Sequence, residues 1–312
     1  MGRNRAKLAI AKGMTAMTIS ELLTLIAQVS GLLFIVTSML AMGMSLTMSQ
    51  ILEPLRNARL VILVLLANFV LVPLWAYVLT LVLPLGQPLQ IGLMVLATAA
   101  GAPFLPKLVQ GAKGNVAFGV GMMVLLMVVT ILYMPIVLPL LLPGVSVNPW
   151  DIAKSLIILM LVPLALGMLF KSHSPDSAEH WQPVMNKTST VSVLVLLVVG
   201  LGLNISNIIN LIGSFGLLAI LLLVGGSLLI GFLLGGGDPA TRSVMGLGTA
   251  QRNISAAILV TAQNFAGTET LPFVLVAGVL LLLVLLPAAK WMGARSEAPN
   301  TGEQTAANPQ ST

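Results

Sequence analysis

The chain has 312 residues, 57% of them hydrophobic and only 8% charged, with a formal net charge of +6. Soluble globular proteins carry about 25% charged residues, so a water-soluble fold is excluded. Its apolar runs repeatedly reach the ~20 residues that cross a bilayer as helix, and the alternating segments of about ten residues that a transmembrane β-barrel needs are not seen. The fold class is therefore an all-α membrane protein. Excess Lys and Arg gather in the cytoplasmic loops of such proteins, so the basic charge does not point to nucleic acid. Cysteine is absent, which removes disulfides, thiolate metal sites and a cysteine nucleophile.

Residues 1–21 are basic, with Arg3, Arg5, Lys7 and Lys12 ahead of Glu21. No small-residue cleavage site follows a compact apolar core, so the segment reads as an interfacial amphipathic stretch rather than a signal peptide. Residues 22–292 form the transmembrane domain. About nine spans are expected, at roughly 22–46, 59–83, 89–111, 115–142, 151–170, 189–211, 214–235, 240–265 and 270–292. His173 and His180 fall in the polar loop expected after the fifth span, where solvation outweighs a metal pair. The polar tail, 293–312, is expected to be disordered.

Loop charges orient the bundle. Arg56, Arg59, Lys113, Lys171, Lys187, Arg242, Lys290 and Arg295 share one side, while the opposite short loops carry only Lys154, with Asp151 one turn away to partner it. The positive-inside rule then puts the C-terminus in the cytoplasm of an inner membrane, against the vote of the four N-terminal cations.

An internal repeat marks the candidate site. The stretch from Leu96 to Val109 aligns without gaps to Leu247–Val260, at an offset of 151 (249 minus 98), with five identical positions. Both copies interrupt an apolar span: Gly101, Pro103 and Pro106 break the first, and Thr249, Gln251, Arg252 and Asn253 stand in the second. Paired interruptions at corresponding places in two halves point to the midplane binding site of a transporter. A guanidinium at bilayer depth survives only facing protein or water, which makes Arg252 the leading candidate. Gln251 and Asn253 offer amides beside it, with polar helix packing as their alternative. Lys107 is a second candidate cation, against the alternative that it snorkels. Thr98 and Thr249 occupy equivalent places, and Asn68 lies mid-span where it can face the cavity.

Every acidic residue falls in a tail, a loop or a span end. With cations but no carboxylate near the two interruptions, the cavity favours an anionic solute. Asn204, Ser206, Asn207 and Asn210 cluster near a span end and read as interfacial. Tyr133 and the tryptophans Trp75, Trp150, Trp181 and Trp291 read as packing or interface anchors. No phosphate-binding loop, Ser/His/Asp arrangement or metal-ligand spacing appears, so neither an enzyme nor a resident cofactor is expected.

Four segments resemble the bile acid:sodium symporter family. They are MLAMGMSL (39–46), NFVLVPL (68–74), AKGNVAFGV (112–120) and the stretch Gly248–Phe265. Over about residues 30–292, the resemblance implies a core domain with two crossing discontinuous helices in inverted repeats, and a panel domain that moves against it. Nine spans resemble the branch lacking the first of ten. Residues with which the family holds sodium fall here on Leu105, Pro106, Gly119, Met123, Gly248, Arg252 and Asn68, and nearly all the hard oxygen ligands are gone. Only the substrate-contacting Asn keeps its identity, as Asn253. The expectation is a secondary transporter of a small organic anion, sodium-independent because Arg252 stands where an ion would. Its alternatives are a sodium-coupled symporter and a non-transporting ligand sensor.

Overall fold

The computed structural model describes residues 18–47, 49, 56–142 and 148–296. The N-terminal cations, Glu53 and the polar tail from 297 onward lie outside the described residues.

Every regular element described is a helix. The first, α1 (Ile19–Ser45), starts at a capping box: Thr18 accepts from the Glu21 backbone, and Glu21 accepts from the Thr18 N–H at 2.8 Å. Among the described residues, seven helices are long and apolar enough to cross a membrane. They are α1, α2 (Ala58–Val82), α5 (Val116–Leu141), α6 (Pro149–His173), α7 (Pro175–Leu203), α9 (Gly216–Leu234) and α12 (Thr270–Ser296). The interruptions of the repeat are real breaks: α3 (Gln87–Thr98) is separated from α4 (Leu105–Gly111), and α10 (Pro239–Ala250) from α11 (Ile254–Asn264).

Two expectations are corrected between α6 and α9. The loop that was to hold both histidines does not exist, because α6 runs to His173 and α7 starts at Pro175 after Ser174 alone. Proline is preorganised for a first helical turn, Asp176 complements the dipole there, and the polar turns that follow stay exposed. The span drawn at 189–211 ends instead at Leu203. Asn204 leaves helical geometry (φ −115°, ψ 22°), and a short α8 (Ile205–Gly213) follows.

Two spans carry π-bulges that periodicity could not show, Ala67–Leu71 in α2 and Ile157–Leu161 in α6. Each is followed after one residue by a proline, Pro73 and Pro163. A proline has no N–H, so the carbonyl four residues earlier, of Phe69 or Leu159, loses its ordinary partner. Widening one turn adapts the ladder to that loss.

Helices α1, α6 and α7 pack mainly on one another, while α9 packs on α10 and the remaining helices gather around the two breaks. The first group is pinned by a backbone contact. A Cβ on Gly43 would stand 2.2 Å from the Leu164 carbonyl, and one on Gly167 2.5 Å from the Leu40 carbonyl. Small residues permit such close approach where no hydrophobic effect drives helices together. In the second group, α3 packs on α11 and α4 on α10. The half before one break thus meets the half after the other, so the two broken helices cross while running in opposite directions.

Candidate functional site

The candidate site is the pair of breaks, and its chemistry begins with backbone groups left without helical partners. The last carbonyls of a helix have none. Gly101 holds the first break open at φ +79°, and a Cβ there would stand 2.2 Å from the Met127 nitrogen, so geometry and space both demand glycine. Pro106 then enters the first turn of α4 without needing a donor. At the second break Gln251 turns extended, and Asn253 caps α11 by accepting from the Ala256 N–H at 3.1 Å.

Each break satisfies the other. Arg252 Nη1 donates to the Ala97 carbonyl at 3.1 Å. The Asn253 N–H donates to the Ala99 carbonyl at 2.8 Å, and Asn253 Nδ2 to the Gly101 carbonyl at 2.9 Å. Arg252 Nη2 donates to the Thr249 carbonyl and to Asn68 Oδ1. Asn68 Nδ2 completes the ring by donating to Val64 O at 3.0 Å and Thr249 Oγ1 at 3.3 Å. Asn68 lies in the π-bulge of α2. The Phe69 carbonyl next to it, deprived of the Pro73 N–H, accepts instead from the Tyr133 hydroxyl at 2.7 Å.

Of the seven candidate residues, four meet in this cluster: Asn68, Thr249, Arg252 and Asn253. All are buried, Arg252 to 1% exposure. Thr98 is buried at the end of α3, but its hydroxyl is turned back on its own helix, donating to Met94 O at 2.8 Å. Gln251 is buried at 4% exposure, and its Oε1, like Arg252 Nε, has no partner among the described residues. Lys107 stands apart: it is exposed, with its ammonium 5.7 Å from the Phe104 ring.

One contributor was not foreseen. Thr130 of α5 is fully buried; its hydroxyl accepts from the Ala100 N–H and donates to the Ala100 carbonyl, both at 3.0 Å. The signal was a threonine hydroxyl in the middle of the apolar run of α5. Tyr133 and Trp75, expected as packing or interface anchors, both donate to backbone: Tyr133 to Phe69, and Trp75 Nε1 to Leu222 O at 2.9 Å. Among the described residues no group of three or more His, Asp or Glu could hold a metal.

Residues 32–211, more than half of the chain, match the Sodium Bile acid symporter family. The chain belongs to that family. A comparison with curated proteins finds no match. The family match runs from within α1 through the first break and α7 into α8, and it ends before the second break and its Arg252.

The positions that the resemblance to the sodium bile acid symporters assigns to sodium are filled in two ways. Around the first, Leu105, Met122 and Met123 are buried, and a Cβ on Gly248 would stand 2.6 Å from Met122 Cε and 3.1 Å from Leu105 Cδ2. A Cβ on Gly119 would stand 2.9 Å from Val109 Cγ2. Hydrocarbon packs where hard oxygens would be needed. Around the second, the oxygens of Ala97, Thr249 and Asn68 converge, and a guanidinium is what they hold.

Proposed function

We propose that the chain is a secondary carrier of a small organic anion that works without sodium, by alternating access of the α1–α6–α7 group against the crossed breaks. Family membership supports a transporter of the bile acid and organic anion type. The observation that carries the finer reading is the guanidinium of Arg252, held by three oxygens from both breaks and from α2. A bound sodium ion would neutralise such converging oxygens and tie the two breaks together. A tethered cation does both permanently and cannot dissociate. The apolar side chains of Met122 and Leu105 around Gly248 support the same reading at the first ion position.

In this reading each broken pair crosses the membrane once, which brings the spans to nine and leaves the C-terminus cytoplasmic by loop charge. Arg252 and Asn253 hold the crossing in register, and the positive charge of Arg252 sets the preference for an anion. Thr98, Thr249, Gln251 and Asn68 remain candidates for substrate contact, and Lys107 only in a state where α4 has moved; of these, the unpartnered Gln251 Oε1 is free to accept from a solute.

The test is uptake into proteoliposomes in sodium-free choline buffer, using a carboxylate or sulfonate first selected by thermal stabilisation of the purified protein. Equal uptake in sodium and choline is expected. Uptake that disappears in choline overturns sodium independence, and stabilisation without any flux favours a ligand sensor.

A further inference from the structure

Between α6 and the end of α11 lies a cleft of about 470 Å³, with walls from both packing groups. Helix α6 supplies Asp151, Lys154 and Ser155, and α11 supplies Gln263 and Asn264. The cleft stands roughly 15 Å from the crossing, the rise of α11 from Ile254 to Asn264. Its volume lies within the range of small-molecule sites.

Two details distinguish it from ordinary surface. Asp151 and Lys154 stand one turn apart, where opposite charges commonly pair. Yet both are exposed, and among the described residues neither has an ion-pair partner. The cleft therefore presents one charge of each sign, uncommitted. The second detail is a tie across it: Ser155 Oγ contacts Gln263 Oε1, and also reaches the carbonyl of Asp151 at 2.7 Å. One hydroxyl proton serves one acceptor at a time. The tie to Gln263 can thus be released while Ser155 stays bonded within its own helix. Asn264 uses one amide hydrogen on Val260 O at 2.9 Å, leaving the other free to donate.

We propose that this cleft binds a small zwitterion, a molecule with one carboxylate or sulfonate and one ammonium. Lys154 takes the anionic group, with the carboxamides of Gln263 and Asn264 beside it, and Asp151 takes the ammonium. A multiply charged anion is disfavoured because the Asp151 carboxylate would face it. The bound molecule bridges α6 to α11 in place of the Ser155–Gln263 contact. The cleft lies between the two groups that the carrier reading sets in motion, but binding is measured on purified protein without flux, so the failure of one reading is distinguishable from the failure of the other.

The experiment compares β-alanine with its two single-charge analogues, propionate and ethylamine, by thermal stabilisation and calorimetric titration of the full chain. β-Alanine is expected to bind more tightly than either analogue. Lys154→Gln and Asp151→Asn are each expected to weaken it roughly fivefold while leaving the unliganded melting temperature in place, since both side chains are exposed. A Ser155→Cys/Gln263→Cys variant, carrying the chain's only cysteines, should form its disulfide more slowly with β-alanine present. Propionate binding as well as β-alanine, an undiminished affinity in Lys154→Gln, or no β-alanine binding to wild type each overturns the proposal.

Discussion

The guanidinium of Arg252 donates to the carbonyl of Ala97, 155 positions earlier in the chain. That bond joins two helix ends that arise in different halves of the sequence. Arg252→Ala leaves the oxygens of Ala97, Thr249 and Asn68 without their donor, at about 3 kcal/mol or more for a buried cluster of this kind. The vacated oxygens should then accept a metal cation. In detergent, sodium chloride is expected to raise the melting temperature of Arg252→Ala above its value in choline chloride, while wild type shows no difference. Sodium stabilisation of wild type would contradict the tethered-cation reading.

Tyr133 and Pro73 act on one bulge from two sides. Tyr133→Phe removes the donor to the Phe69 carbonyl and should cost about 1 kcal/mol, read from chemical or thermal denaturation. Pro73→Ala restores the missing N–H and lets α2 close to a regular helix. The register of Asn68 then turns by about 100°, one residue of helix. Transport should fall even though the helix itself becomes more regular. Unchanged transport in Pro73→Ala would show that Asn68 need not face Arg252.

The contact between Gly43 and Gly167 predicts a steep asymmetry among glycines. Gly43→Ala or Gly167→Ala drives a methyl into the facing backbone and should destabilise the protein by about 2 kcal/mol or more. Gly202→Ala, whose added Cβ meets nothing within 4 Å, should be stabilising by about 0.5–1 kcal/mol through helix propensity. Melting temperatures of the three variants decide the point; similar values would show that α1 and α6 separate freely.

Lys107 separates a crossing role from a surface one. It is exposed and outside the Arg252 cluster, so Lys107→Gln should change stability by no more than about 0.5 kcal/mol. Its affinity for a stabilising carboxylate should also match wild type. A marked loss of affinity would return Lys107 to the binding site, in a state of the protein where α4 has moved.

Much of this was legible because membrane burial writes itself into composition. Arg252 was visible as a residue that must face protein since hydrocarbon tolerates no idle guanidinium, and the breaks were visible because Gly101, Pro103 and Pro106 cannot continue a helix. Thr130 and Tyr133 were not, since a hydroxyl in an apolar run looks the same whether it caps a distant carbonyl or its own turn. The α6–α7 junction was misread for the opposite reason. Polar residues suggested a loop, but a helix outside the bilayer has no need of apolar residues.

By itself, the sequence determined a bundle of long apolar helices, two of them interrupted at equivalent places, with a single deep arginine in the second. Those features follow from local rules: chain length against bilayer thickness, proline without a donor, charge without water. Only the tertiary structure decided which oxygens the arginine meets, that Asn68 joins it through a bulge, and that Lys107 does not. Hydrogen bonds between residues more than 150 positions apart are set by how helices cross, and no local pattern encodes the angle of that crossing.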